Sequence, residues 1–462
     1  MRDDFIEPLR AALGEIWVGA DIPPHNTHDW SGLPAVEPAV LVRPRSTADV
    51  SAVLRIAHAA GIPVVPQGGL TGLVGGAQPI AGGVALSLER MTAIEEIDPV
   101  MACMTVQAGA PLQAVQQAAE EAGLMFGLDL GARGSCQIGG NLSTNAGGNR
   151  VIRYGMAREH VLGLEVVLPD GSVVTSLNKM LKNNAGYDLK QLFIGSEGTL
   201  GVITRAVLRL QPRPTSVSTL FFGCRDFDAV LALLSETRSR LGPMLSAFEA
   251  MWPNYYDFMC GKLPELRRAL AQKHGAYVLL EASGFDPASD AGRIETLMGD
   301  LLEAGLIEDG VMASSEKEAR QLWAVREAVS EYSRVLGSHT AFDISLPAPA
   351  MRAATQEIEA LFRGRWPDGV MLVYGHVGDG NLHIVARVPA AGDRQPSQEI
   401  ANFVYAAVRA AGGSISAEHG IGLMKKPYLG YSRTPEELRL MGILKAALDP
   451  LDILNPGKIL TM

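Results

Sequence analysis

Two separated stretches of this chain carry residue types that could do chemistry. Tyr374–Val388, YGHVGDGNLHIVARV, reads as strand, tight turn and strand, and a turn of that length brings His376 and His383 to neighbouring positions. Ser416–Gly422, SAEHGIG, supplies Glu418 and His419 from a distant loop. Two neutral imidazoles and one carboxylate make an open site suited to Zn²⁺, Mn²⁺ or Fe²⁺, with positions left for a substrate. Two strand histidines are more often hydrogen-bonded structural groups than ligands, and spacing alone does not decide for a metal. His419, beside Glu418, offers a proton acceptor in the range near neutral pH. Arg326, in QLWAVREAVSEYS, presents a planar two-donor fork for a carboxylate, and Ser330 falls one turn further on the same predicted helix face. An ordinary surface ion pair with Glu327 or Glu331 is the alternative reading of that arginine.

A different chemistry is suggested near the N-terminus. Pro66–Gly76, PQGGLTGLVGG, is a loop with five glycines between an apolar strand and an extended segment. Such a loop can turn several backbone N–H groups the same way and hold an anion, a diphosphate above all. It is not a P-loop, since no Gly-Lys-Ser/Thr follows, and it lacks the GxGxxG-helix pattern of the Rossmann fingerprint. A mobile turn is the competing reading.

The elements that must position these residues fall into two rhythms. Residues 46–60 read as a helix with Ser46 as cap, Asp49 closing a capping box, and Val50, Val53, Leu54 and Ala57 on one face. Ile62–Pro66, Val84–Leu88 and Met104–Ala108 read as strands, and Pro111–Ala122 as a helix stopped by Gly123. A second glycine-rich stretch runs from Gly131 to Gly155, and Val161–Ser176 reads as a hairpin around Pro169-Asp170-Gly171. After the Pro-rich QPRPTS (211–216) the pattern becomes α+β. Strands are expected near 217–223, 244–250, 276–283, 306–312 and 342–346, and helices near 226–240, 289–304, 316–335 and 349–363. From about Ala417 the chain reads as loop-rich.

Composition narrows the class. With 47% apolar and 19% charged residues, the 462-residue chain can bury a sizeable core. A net charge of −10 argues against nucleic acid as a partner. No run of about 18 apolar residues predicts a transmembrane helix, and MRDDFIEPLR lacks the apolar region of a signal peptide. Cys103, Cys136, Cys224 and Cys260 are scattered without a CxxC pair, so no cysteine-based metal centre is expected and a reducing cytoplasm is the simplest compartment.

The motifs together resemble a known family. VRPRSTADVSAVLRIAHAAGIPVVP with the first glycine loop, and GSCQIGGNLSTNAGGNRVIRYGMAREHVLGLEVVLPDG, look like the FAD domain of the vanillyl-alcohol-oxidase (PCMH) type flavoproteins. The D-lactate and D-2-hydroxyglutarate dehydrogenase branch, with the glycolate-oxidase D-subunit type, is the most similar. The resemblance implies an α+β protein with an FAD-binding domain (1–213), a central α+β substrate domain (214–416) and a C-terminal segment (417–462) packing back on the FAD domain. It implies that Gln67, Gly68, Gly69, Leu70, Thr71 and Gly72 wrap the FAD diphosphate. Gly134, Ser135, Gly139, Gly140, Ser143, Asn145, Gly147, Gly148 and Gly155 would line the isoalloxazine, ribityl and diphosphate groups, with Ile203 at the adenine end. Relatives that attach flavin covalently use a histidine in the first loop; Leu70 and Thr71 stand there, so FAD is expected to be non-covalent.

On the same resemblance His376, His383 and Glu418 ligate a divalent metal, Zn or Mn, and Asn381 assists substrate. Arg326 takes the substrate carboxylate, with Ser330 a neighbouring hydroxyl. The implied reaction is oxidation of a small D-2-hydroxy acid to the 2-oxo acid, with hydride to flavin N5, the hydroxyl proton to His419 and a metal polarising the substrate. Electrons would pass to a separate acceptor such as an electron-transfer flavoprotein, a quinone or a cytochrome, which could hold the protein peripherally at a membrane, and a homodimer is possible. One departure matters. In hydroxyglutarate dehydrogenases a lysine precedes the aromatic-Asp-x-Ser-x-Pro segment, and here Ala341 precedes Phe342-Asp343-Ile344-Ser345-Leu346-Pro347. That predicts apolar space beside Phe342 and a monocarboxylate such as D-lactate, D-2-hydroxybutyrate or D-mandelate, unless His339 supplies the missing charge. The rivals are a D-2-hydroxyglutarate dehydrogenase, an O₂-using flavin oxidase, a zinc hydrolase, which leaves both glycine stretches unexplained, and a flavin-binding subunit without chemistry.

Overall fold

A computed structural model describes residues 5–461. The chain forms two compact units: Met1–Gly148, Gly155–Arg213 and Glu418–Met462 make the first, and Asn149–Tyr154 with Pro214–Ala417 the second.

The first unit has a small parallel sheet and a larger antiparallel one. Val40–Val42, Val84–Ser87 and Val64–Gln67 pair in parallel, with Val84–Ser87 in the middle. Helix Thr47–Ala60 connects two of these strands and buries Val50, Val53, Leu54 and Ala57. Ser46 caps it by accepting the Asp49 N–H, but the Asp49 carboxylate takes the N–H of Arg45 (2.8 Å), one residue before the partner a capping box requires. Gly61 ends the helix in the left-handed region, φ 62°. The five-stranded sheet runs Ile94–Asp98, Cys103–Gln107, Val202–Arg209, Val161–Val167, Val173–Ser176. One continuous core joins both sheets through Leu54, Leu86, Val106, Ile138, Val166 and Leu208.

The C-terminal stretch is less loop-rich than its sequence suggests. It contains the helix Pro435–Leu448, opened by a complete capping box between Thr434 and Glu437. Thr-Pro-Glu-Glu carries that signal, including proline at the first helical position. Past the helix, the tail returns to the small sheet: Val64 N–H donates to Ile453 O (2.7 Å) and Asn455 N–H to Val64 O (2.8 Å).

The second unit is a seven-stranded antiparallel sheet ordered Asp309–Met312, Ser216–Cys224, Ala276–Gly284, Leu245–Met251, Val370–Gly375, Asn381–Arg387, Thr340–Ser345. Three of its helices have no counterpart in the sequence reading, Val151–Tyr154, Pro253–Lys262 and Ser397–Ala410. The single helix expected over 316–335 breaks after Glu327 into a 3₁₀ turn, Ala328–Glu331, and a short helix Tyr332–Val335. Asn149–Tyr154 leaves the second glycine-rich stretch to join this unit: Arg150 pairs with Glu281 (3.2 Å), and Ile152 lies against Gly378, where a Cβ would meet it at 2.6 Å. Among the described residues no helix is long and apolar enough to cross a membrane.

Candidate active site

In the first unit the two glycine stretches face one cavity of about 310 Å³. Gln67, Gly68, Gly69, Leu70, Thr71, Gly72, Gly139, Gly140, Ser143, Gly147 and Ile203 all line it, and so do Glu418 and His419. Gly69 explains why glycine is needed: a Cβ there would lie 2.0 Å from Ser135 O, so the two stretches touch backbone to backbone. Gly140 faces open space, with nothing within 4 Å of where its Cβ would be. The Gln67 side chain is already engaged. It accepts from Asn26 Nδ2 (3.0 Å) and donates to the carbonyls of Asn26 (3.0 Å) and Ala77 (3.3 Å), so it ties the loop's two ends together.

Gly134, Ser135, Asn145, Gly148 and Gly155 are not among the residues that line the cavity. Ser135 backs Gly69. Asn145 Oδ1 accepts from the Arg158 N–H (2.9 Å), and Gly155 turns the chain at φ 79°. Gly148 passes so close to Asp129 O that a Cβ would sit 2.0 Å from it, and its N–H donates to Glu418 Oε1 (2.6 Å).

Residues outside the sequence reading also shape this wall. Gln137 lines the cavity with its buried Oε1 lacking a hydrogen-bond partner. An orphaned acceptor beside a glycine cradle fits a polar ligand with donors of its own, as FAD is. Glu197 is buried and accepts the N–H groups of Ile421 (2.7 Å) and Gly422 (2.8 Å), which anchors the loop carrying Glu418 and His419. Burial pushes its carboxyl above the usual range, although the two amides oppose the shift. No spacing rule could have singled it out.

In the second unit the hairpin Val370–Gly375 and Asn381–Arg387 places His376 and His383 edge to face, ring centroids 5.4 Å apart. His383 stacks on Tyr374 at 5.0 Å. Arg326 is buried, with its guanidinium over the Tyr374 ring at 4.6 Å. The surface ion pair considered for this arginine is not what forms. Its Nε donates to Glu249 Oε2 (2.6 Å), a fully buried carboxylate, and Nη2 lies 3.2 Å from His376 Nε2. Glu249 Oε1 is 2.5 Å from His376 Nδ1. Arginine can only donate, so His376 Nε2 must accept and Nδ1 must carry the proton given to Glu249. Burial alone would raise the Glu249 carboxyl; His376 and Arg326 outweigh it and hold it down at about 2.

Register decides which neighbours share this face. Asp343 pairs with His383, Ser345 with Asn381 and Ala341 with Val385, so Ala341, Asp343 and Asn381 stand on the His383 side. Phe342 pairs with Ile384 on the opposite face and packs edge-on against Tyr405 at 5.5 Å. The space expected beside Phe342 therefore lies on the wrong side of the sheet; the residue facing Ala341 is Val385. Asp343 is buried and accepts from Asn381 Nδ2 (2.7 Å) and the Ala417 N–H (3.1 Å). Asn381 keeps a buried Oδ1 without a hydrogen-bond partner. Ser330 falls outside the helix, on the 3₁₀ turn, and is exposed.

Comparison with known proteins shows the family of this chain. The family described as FAD linked oxidases, C-terminal domain, matches residues 213–459, and the FAD binding domain matches 38–176. D-2-hydroxyglutarate dehydrogenase, mitochondrial, of Bos taurus is 43% identical over 99% of this chain and 83% of its own length. A putative mitochondrial D-lactate dehydrogenase of Schizosaccharomyces pombe is 40% identical over 95% of this chain and 85% of its own. The solved structure of p-cresol methylhydroxylase with substrate bound superposes with a TM-score of 0.76 at 16% identity, covering 99% of this chain and 96% of that one. The chain belongs to the FAD-linked oxidase family, in its branch of FAD-dependent D-2-hydroxy acid dehydrogenases, with the fold of the PCMH-type flavoenzymes. Both named relatives are mitochondrial, which gives the cytoplasmic expectation no support; four free thiols fit any reducing compartment.

Proposed function

We propose that this enzyme oxidises a D-2-hydroxy monocarboxylate to its 2-oxo acid. The observation that carries the substrate choice is Ala341 on the same sheet face as His383 and Asp343, with an apolar partner, Val385, across the strand pair. Ala341 puts no basic side chain at that position to pair a second carboxylate, and a monocarboxylate needs none.

The residues divide the work. Arg326 binds the substrate carboxylate; Glu249 and His376 engage two of the five donors a guanidinium has. His419 accepts the hydroxyl proton at a ring nitrogen, and its place on the cavity wall beside the glycine loop supports that role. His376, through Nε2, with His383 and Glu418 would hold a divalent cation, zinc or manganese. The orphaned Asn381 Oδ1 supports a polar occupant on this face, as does a tautomer of His376 that keeps Nε2 as an acceptor. FAD supplies the two-electron acceptor when bound, and the cation a Lewis acid. The reduced enzyme passes its electrons to a separate protein, quinone or cytochrome.

One observation favours a second reading, a dicarboxylate such as D-2-hydroxyglutarate. His339 lies two residues before Ala341, its ring 5.6 Å from Tyr332, which itself stands 6.2 Å from Tyr374. Its Nδ1 is engaged with Gly337 O (2.7 Å), which leaves Nε2 to meet a distal carboxylate. Steady-state comparison of D-lactate with D-2-hydroxyglutarate decides between them. The monocarboxylate is expected to have the higher kcat/KM, and Ala341→Lys to move the ratio at least about tenfold, some 1.4 kcal/mol, towards the dicarboxylate. A tenfold native preference for D-2-hydroxyglutarate, lost in His339→Ala, would establish the second reading instead.

FAD is held without a covalent bond in this proposal, since Leu70 and Thr71 occupy the loop position of the attaching histidine. Acid precipitation should leave a colourless pellet and all the yellow flavin in the supernatant. Flavin retained in the washed pellet would refute it.

A further inference from the structure

The buried carboxylate of Glu249 has no part in the reaction as described, yet it touches both groups that must meet the substrate. It sits mid-strand in Leu245–Met251, every residue of which is buried. One oxygen takes Arg326 Nε at 2.6 Å and the other takes His376 Nδ1 at 2.5 Å. The three residues are 77 and 127 positions apart in sequence, so only the sheet and the helix Glu316–Glu327 bring them together.

We infer that Glu249 is a positioning residue that couples the carboxylate-binding arginine to the metal-binding histidine; the inference rests on the roles proposed above for Arg326 and His376. Holding the Nδ1 proton makes Nε2 the ligand atom and fixes the ring's plane. That same Nε2 also takes an N–H from Arg326 at 3.2 Å. A cation on Nε2 must displace this N–H, and Arg326 then keeps its place through its bond to Glu249 and its stacking on Tyr374. The displaced Nη2 donor becomes available to a substrate carboxylate. Glu249 therefore lets one side chain serve two ligands: the cation takes the histidine while the arginine stays beneath the site, with its fork turned to the substrate.

The geometry distinguishes Glu249→Gln from Glu249→Asp. Glutamine has one acceptor and one donor where two N–H groups arrive, so one bond must be lost and an N–H left facing an N–H. Aspartate keeps both acceptors on a shorter stem. The test uses the FAD-loaded full chain. Zn²⁺ affinity is measured by competition with a chromophoric chelator, and KM and kcat for D-lactate are measured separately. Glu249→Gln is expected to weaken Zn²⁺ about 10–100-fold and to raise KM for D-lactate at least about tenfold, with FAD content unchanged. Glu249→Asp should recover part of both losses together. Unchanged Zn²⁺ affinity and KM in Glu249→Gln would overturn the inference, as would a loss of one without the other. If the glutamine variant does not fold, Glu249→Asp carries the same test, since the coupling requires both quantities to move together in it. A wild-type enzyme that is reduced by D-lactate but binds no Zn²⁺ would instead overturn the roles on which the inference rests.

Discussion

Removing the divalent cation from the holoenzyme should lower turnover by about a thousandfold, some 4 kcal/mol of barrier, while FAD stays bound. The size follows from what the proposed ligands His376, His383 and Glu418 would hold. A cation polarising the substrate hydroxyl stabilises charge that water would otherwise have to solvate, and none of the surrounding protein groups replaces it. Arg326 is a cation too, but Glu249 already balances it, and its donors are committed to the carboxylate. The cavity is lined chiefly by residues of the two glycine stretches, and of the three proposed ligands only Glu418 borders it, so flavin bound there should survive chelation. The experiment is turnover and flavin absorbance before and after dialysis against a chelator, then after adding Zn²⁺ or Mn²⁺. Restoration by either ion is expected. Full activity in a metal-free preparation would remove the cation from the mechanism.

His419→Asn should slow flavin reduction at least ~100-fold, the usual cost of a lost general base. Asparagine keeps a polar side chain of comparable reach but cannot take up the hydroxyl proton. The segment itself should hold its place, because Glu197 anchors it through the backbone of Ile421 and Gly422, not through His419. FAD content and substrate affinity are therefore expected to stay near wild type, which separates a chemical effect from a folding one. Anaerobic stopped-flow reduction by D-lactate measures the step directly. A rate equal to wild type would move the base elsewhere.

Much of the fold and of the site was legible in local residue patterns. Clustered glycines marked the two stretches that line the cavity, because close backbone approach and positive φ leave a compositional trace. The alternation of strand-like with helix-like segments placed most strands of the second unit, and the turn Gly378-Asp379-Gly380 made the His376–His383 hairpin legible. Ser46, Gly61 and Gly123 bounded helices through local geometry that neighbouring residues alone decide. Ala341 could be noticed from its place in a motif.

Other features were settled only by tertiary structure. Glu249 is one acid in an apolar strand, and nothing within ten residues distinguishes it from a surface residue; its partners arrive from 77 and 127 positions away. Arg326 by its residues alone read first as a surface cation, and its partner proved to be buried. Gln67 lies within the glycine motif, yet its side chain staples the loop through Asn26, 41 residues earlier. The helix end at Glu327 took Ser330 off the face its spacing implied. Phe342 and Ala341 are adjacent, and a strand turns adjacent side chains to opposite faces, so only the pairing of Ala341 with Val385 says which of them borders the site. Local pattern reports where backbone must be tight or alternate. Which charge meets which is a matter of long-range register, and register is decided by the packing of the whole sheet.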